Sequence, residues 1–175
     1  DPGNLTTGTV ELTETYKYQA FYDLETNTTV KQNLITEWDL GFETSDSGWH
    51  VILNTSKMML AGNTGITDFE AVKSSSGIRM NFDPSHGNLD SSAVGNWYRV
   101  VEKTPVSLGI VYVIDRGTDE NGEMLGEKKV KFDFQDENTY LLRFANLNGS
   151  GEKTMTIPKD TAVNFVCFSF EKGIV

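Results

Sequence analysis

Wherever this chain is apolar, its apolar residues alternate with polar ones, and helical spacing is nearly absent. A period of two places successive side chains on opposite faces of a strand, whereas an amphipathic helix needs apolar residues at i, i+3, i+4 and i+7. The fold class is therefore all-β, with antiparallel sheets that keep one face wet. The clearest strands are Thr15–Leu24, with Tyr16, Tyr18, Ala20 and Tyr22 on one face, Glu37–Phe42, with Trp38, Leu40 and Phe42, and Trp49–Asn54, with Trp49, Val51 and Leu53. The same pattern predicts strands over Ile78–Phe82, Trp97–Val101, Ile110–Asp115, Lys129–Gln135, Thr139–Phe144, Lys153–Ile157 and Val163–Phe170, about ten in all.

The link Gln135-Asp136-Glu137-Asn138 is short and polar enough only for a hairpin, and Asn148-Gly149-Ser150-Gly151 marks a second one. The C-terminal half thus reads as an antiparallel meander. Between Met59 and Trp97 turn clusters crowd in, with one short helical turn expected within Asn88–Val94. Long connections of this kind carry binding groups on a rigid sheet. Residues 163–175 echo the aromatic strand and polar turn of residues 18–30. Residues 1–162 then form one β domain, and 163–175 either close it or open a truncated second repeat.

Charge and composition remove several function classes. The 175 residues carry 15 Lys+Arg against 25 Asp+Glu, a net charge of −10 with no basic stripe, which argues against nucleic-acid binding. No run approaches the ~18 apolar residues of a membrane-spanning helix. The start at Asp1-Pro2-Gly3-Asn4 reads as a processed or recombinant one, from which any export signal has gone. The single Cys167 has no internal disulfide partner and lies in an apolar run, as an inert buried thiol does.

Only His50 and His86 are available as imidazoles, and neither belongs to a nucleophile elbow or a zinc-protease helix, so an enzyme is not expected. Glu37 and Asp39 project together from one strand, and strand carboxylates that alternate with core residues ordinarily face water. The acidic loop Asp115–Gly126 lacks calcium-loop spacing because Gly117 stands where an oxygen donor is needed. What remains is a set of soft and imidazole donors: His50, Met58, Met59, Met80 and His86. Haem iron takes axial His or Met, and an aromatic cleft holds the macrocycle. Each donor also has an ordinary reading: a solvent-facing strand histidine for His50, gap-filling core for the methionines, a surface loop histidine for His86.

The ordered series Phe21-Tyr22-Asp23-Leu24, Glu37-Trp38-Asp39-Leu40-Gly41-Phe42, Val51-Ile52-Leu53-Asn54, Gly95-Asn96-Trp97-Tyr98 and Val111-Tyr112-Val113-Ile114 resembles the HmuY-like haem-binding proteins. The resemblance implies an exported all-β protein at the outer-membrane surface of a Gram-negative bacterium, held there by a lipid anchor. It also implies capture of haem and delivery to a TonB-dependent outer-membrane transporter. The first ligand loop of that family corresponds to Met80–Gly87, offering Met80 or His86 to the metal. The segment expected to bear the second ligand, Tyr98–Pro105, holds neither His nor Met, and Tyr98 is its nearest substitute. The competing expectation is a cofactor-free accessory lipoprotein that docks a sheet face or edge on an outer-membrane import or secretion complex.

Overall fold

The computed structural model describes residues 7–10 and 17–175. Its strands are β1 (Tyr18–Asp23), β2 (Thr28–Leu34), β3 (Leu40–Glu43), β4 (Val51–Leu53), β5 (Leu60–Asn63), β6 (Tyr98–Val101), β7 (Thr104–Ser107), β8 (Val111–Asp115), β9 (Glu127–Asp136), β10 (Thr139–Asn146), β11 (Lys153–Pro158), β12 (Phe165–Ser169) and β13 (Gly173–Ile174). A five-stranded sheet runs β11-β10-β9-β8-β5, a four-stranded sheet runs β13-β12-β3-β4, and β1-β2 and β6-β7 form separate hairpins. Every pairing is antiparallel.

The inner faces of the two larger sheets meet in one core. Leu40 and Phe42 of β3, Val51 and Leu53 of β4, and Val166 and Phe168 of β12 pack against Tyr140, Leu142 and Phe144 of β10 and Phe132 of β9. The alternation is regular: Gly41, Ile52 and Cys167 fall between these residues and face the other way. Strand β8 breaks it, because Val111, Tyr112, Val113 and Ile114 are all fully buried. Tyr112 and Ile114 enter the main core, while Val111 and Val113 enter a second one with Phe69, Val72 and Ala145. The connection after β5 supplies Phe69 and Val72, so this strand has no wet face.

Aromatic rings tie the layers together. Trp49 lies edge-on to Tyr140 at 4.5 Å and to Phe134 at 4.7 Å, and Trp97 leans on Phe134 at 4.7 Å. The Trp97 indole N–H donates to the Trp49 carbonyl at 2.7 Å, and the Tyr140 hydroxyl donates to the Glu43 carbonyl at 2.8 Å. Trp97→Phe should cost about 1–3 kcal/mol in urea unfolding, because the buried Trp49 carbonyl loses its donor.

Several sequence expectations are corrected. Ile78–Phe82 is not a strand: only Asn81 bridges to Ala61, while Ile78 and Met80 turn onto the second core. Strand β2 is mostly polar, with only Val30 and Leu34 apolar, and β5 runs into the glycine cluster expected to be a turn. The short helical turn expected within Asn88–Val94 is present, as the 3-10 turn Leu89–Ser91. The expected strand Thr15–Leu24 begins at residues outside the described set. Residues 163–175 supply β12 and β13, and β12 pairs directly with β3.

Asp39 is the largest departure. It is buried to 1% exposure and not in water. Its carboxylate accepts from Lys57 Nζ, from Arg116 Nε at 3.3 Å and Nη2 at 3.4 Å, and from the Phe170 N–H at 2.8 Å. Asn54 secures the same bend, donating its side-chain amide to the Ile35 and Trp38 carbonyls at 2.7 and 2.8 Å. The bend places Trp38 outside the core although Leu40 and Phe42 fill it.

Candidate functional site

Past the bridge at Asn81 the chain crosses β4 as a loop, and Asp83 fixes its course. One Asp83 oxygen accepts the Leu53 N–H at 2.7 Å and the other the Ala93 N–H at 2.6 Å. Leu53 belongs to β4 and Ala93 to the far end of the loop, so a single carboxylate closes the loop and fastens it to the sheet. Between them Asn88 caps the 3-10 turn, its side chain accepting from the Asp90 N–H at 3.1 Å.

The loop walls a hollow of about 400 Å³ lined by Trp38, Ile52, Leu53, Pro84, Leu89 and Phe165, with Thr55, Asp83, Gly87, Asn88 and Ser92 at its polar margin. That volume lies within the range of small-molecule sites. Trp38, Ile52 and Phe165 are shared with an adjoining recess of about 540 Å³ between the outer face of the four-stranded sheet and the β1-β2 hairpin. Gly41 forms part of its floor: a Cβ there would stand 2.8 Å from Ile52 Cγ1 and 3.6 Å from Phe165 Cδ1. Gly41 is buried, and the missing side chain lets Ile52 pack down over the strand beside Phe165. Lys31 and Asn33 line the hairpin side.

The donors singled out in the sequence do not converge on this hollow. His86 is exposed on the loop, and its Nδ1 accepts the Asn88 N–H at 3.1 Å. Its neighbours Pro84 and Gly87 line the hollow, but His86 does not. Met80 packs on the second core, its sulfur 2.6 Å from where a Gly62 Cβ would stand. Met58 is exposed and ends a 3-10 turn in the left-handed conformation, and Met59 is core. Tyr98 packs edge-on to Trp97 at 5.3 Å; burial, then the charges of Glu43 and Asp90, raise its phenol above the ordinary range.

His50 is held by carboxylates on both sides, Nδ1 lying 2.6 Å from Glu43 and Nε2 3.1 Å from Asp90. Burial alone would raise the Glu43 carboxyl, but hydrogen bonds from Ser45 and His50 outweigh it and hold the group below the ordinary carboxylate range. The stability Glu43 adds is therefore complete above its unfolded value and lost as pH falls through its folded one. Glu43→Gln should flatten the acid limb of stability, measured as urea midpoints from about pH 6 down to about pH 3.

The acidic loop folds on itself, Asp119 Oδ1 accepting the Asn121 and Glu123 N–H groups at 2.8 and 2.9 Å. Among the described residues no group of three His, Cys, Asp or Glu side chains is placed to hold a metal ion, and no helix is long and apolar enough to cross a membrane.

A family model described as HmuY protein matches residues 15–149, most of the chain. The chain belongs to the HmuY family. HmuY is a family of haem-binding proteins at the cell surface and not a family of enzymes. No curated protein and no solved structure gives a match. In this HmuY-family chain the hollow and the recess beside it offer indole, aliphatic and phenyl surface to an apolar macrocycle. Their lining offers iron no His, Met or Tyr, and both oxygens of Asp83 are committed to backbone N–H groups; the donors left are Glu37 and the Cys167 thiol, on the recess beside the β1-β2 hairpin. Trp38, Gly41, Ile52 and Phe165 are the residues that sequence reasoning did not single out as a site. The W-D-L and V-I-L-N runs that carry the family likeness position them, through Asp39 and Asn54.

Proposed function

We propose that the protein captures haem at the bacterial surface and passes it to a TonB-dependent outer-membrane transporter. The observation that carries the reading is the apolar hollow beside the 82–92 loop in a chain of the HmuY family. Each 100 Å² of macrocycle covered there is worth about 2.5 kcal/mol, so apolar contact alone supplies useful affinity. Of the donors named from the sequence, His86 stays in this reading only through its loop, because Pro84 and Gly87 line the hollow while its own side chain does not. Met80, His50, Met58 and Tyr98 are engaged or placed elsewhere. The exposed valines of the β6-β7 hairpin, Val100, Val101 and Val106, offer apolar surface for the transporter to cover.

Hemin titrated into the protein should give a saturable shift of its Soret band, and His86→Ala should change the band's position. An unshifted band at micromolar protein would contradict the proposal.

A further inference from the structure

We infer that this hollow recognises the tetrapyrrole macrocycle and not its metal, so that metal-free protoporphyrin binds about as tightly as hemin. The inference rests on the capture reading above and narrows its ligand.

The lining carries it. The apolar surfaces around Ile52 and Phe165 are the Trp38 indole and the side chains of Leu53, Pro84 and Leu89, with the polar groups of the lining at their margin. A plane is held by such surfaces whatever occupies its centre, since apolar burial scales with area and carries no directional demand. Metal recognition needs a donor aimed at the ring centre; of the candidates, Glu37 borders the recess with its carboxylate paired to Lys172 Nζ at 4.0 Å. Asp83 spends both oxygens on the Leu53 and Ala93 amides, which it must keep to hold the loop. His50 has a carboxylate at each ring nitrogen.

Cys167 is the one sulfur donor on the lining. Burial, then the charge of Glu37, push its thiol up, so it stays protonated at neutral pH, where the thiolate is the ligand form. Polar recognition falls instead at the margin, where Lys31 and Asn33 border the recess and match the carboxylates that a natural porphyrin bears at its edge. His86, whose loop neighbours line the hollow while it does not, then affects the spectrum of a bound iron porphyrin more than its retention.

The test compares hemin, zinc protoporphyrin and metal-free protoporphyrin IX by quenching of tryptophan fluorescence in the intact protein, in His86→Ala and in Ile52→Glu. Ile52 faces outward from β4, and unchanged urea midpoints confirm folding of the variants; Leu89→Glu, on the loop wall, is the second blocking variant. The expected result is three dissociation constants within about fivefold of one another, unchanged within about fivefold in His86→Ala, and weakened at least about tenfold by either blocking variant. Hemin bound more than about fivefold tighter than the metal-free ring overturns the inference while leaving haem capture standing. Equal binding that ignores both blocking variants overturns the assignment to this hollow. Failure of all three probes to bind overturns the capture reading and the inference together.

Discussion

Asp39→Asn will destabilise the protein by about 3–5 kcal/mol, the range measured when one partner of a buried ion pair is removed. Lys57 and Arg116 are 2% and 5% exposed, so neither can turn to water when its counter-charge goes. Burial already pushes the Lys57 ammonium below its ordinary range against the pull of Asp39. Arg116 keeps one contact, Nη1 to Glu171 Oε1 at 2.8 Å, but Glu171 is largely exposed and holds only part of the guanidinium. The amide that replaces the carboxylate preserves shape and removes charge, which makes this an electrostatic loss and not a cavity. Urea unfolding at neutral pH measures it; a loss under about 1 kcal/mol would mean that Lys57 and Arg116 find other partners.

Asp83→Ala will act on both stability and binding. It strips the acceptor from two backbone amides, Leu53 and Ala93, and so frees the loop that walls the hollow. Hydrogen bonds to a charged group are worth about 1.5–3 kcal/mol each, and water recovers part of that once the loop lifts, so a net cost of about 2 kcal/mol is expected. Affinity for a tetrapyrrole should fall by about tenfold or more, since one wall of the hollow must be ordered again on binding. Asp83→Asn keeps one oxygen acceptor and should show a smaller loss in both measurements. Full affinity in the alanine variant would show that the loop takes no part in holding the ligand.

The main core was legible because its residues obey a rule that needs no tertiary knowledge. Val51 and Leu53, or Tyr140, Leu142 and Phe144, announce their face by spacing alone. The hairpins around Glu137 and Gly149 were legible for a similar reason, since turn chemistry is local. Asp39 was not. An isolated carboxylate in an alternating strand belongs in water, and only the arrival of Lys57 from 18 residues away and Arg116 from 77 away reverses that preference. Trp38 was misplaced for the same cause: the bend that buries Asp39 turns the tryptophan outward, against the alternation that continues through Leu40 and Phe42.

The donors illustrate a different limit. His50, Met58, Met80 and His86 lie close together in sequence, yet one is held between carboxylates, one is exposed at a turn, one packs on the second core and one is exposed on a loop. Nearness along the chain carries no distance information once turns intervene. The hollow itself depends on where Asp83 fastens its loop, a contact spanning 30 residues that no periodicity encodes. The runs that carry the family likeness include the scaffold residues Asp39 and Asn54 as well as Trp38, Gly41 and Ile52, which border the recesses.

The proposed site puts a planar tetrapyrrole on Ile52 and Phe165, under the 82–92 loop. Methyl NMR of the protein with diamagnetic zinc protoporphyrin checks this placement, because the ring current of the macrocycle moves only nearby signals. The methyl resonances of Ile52 and Leu89 should shift strongly while those of Val111 and Val113, in the second core, stay in place. Unmoved Ile52 and Leu89 signals under saturating porphyrin would contradict it.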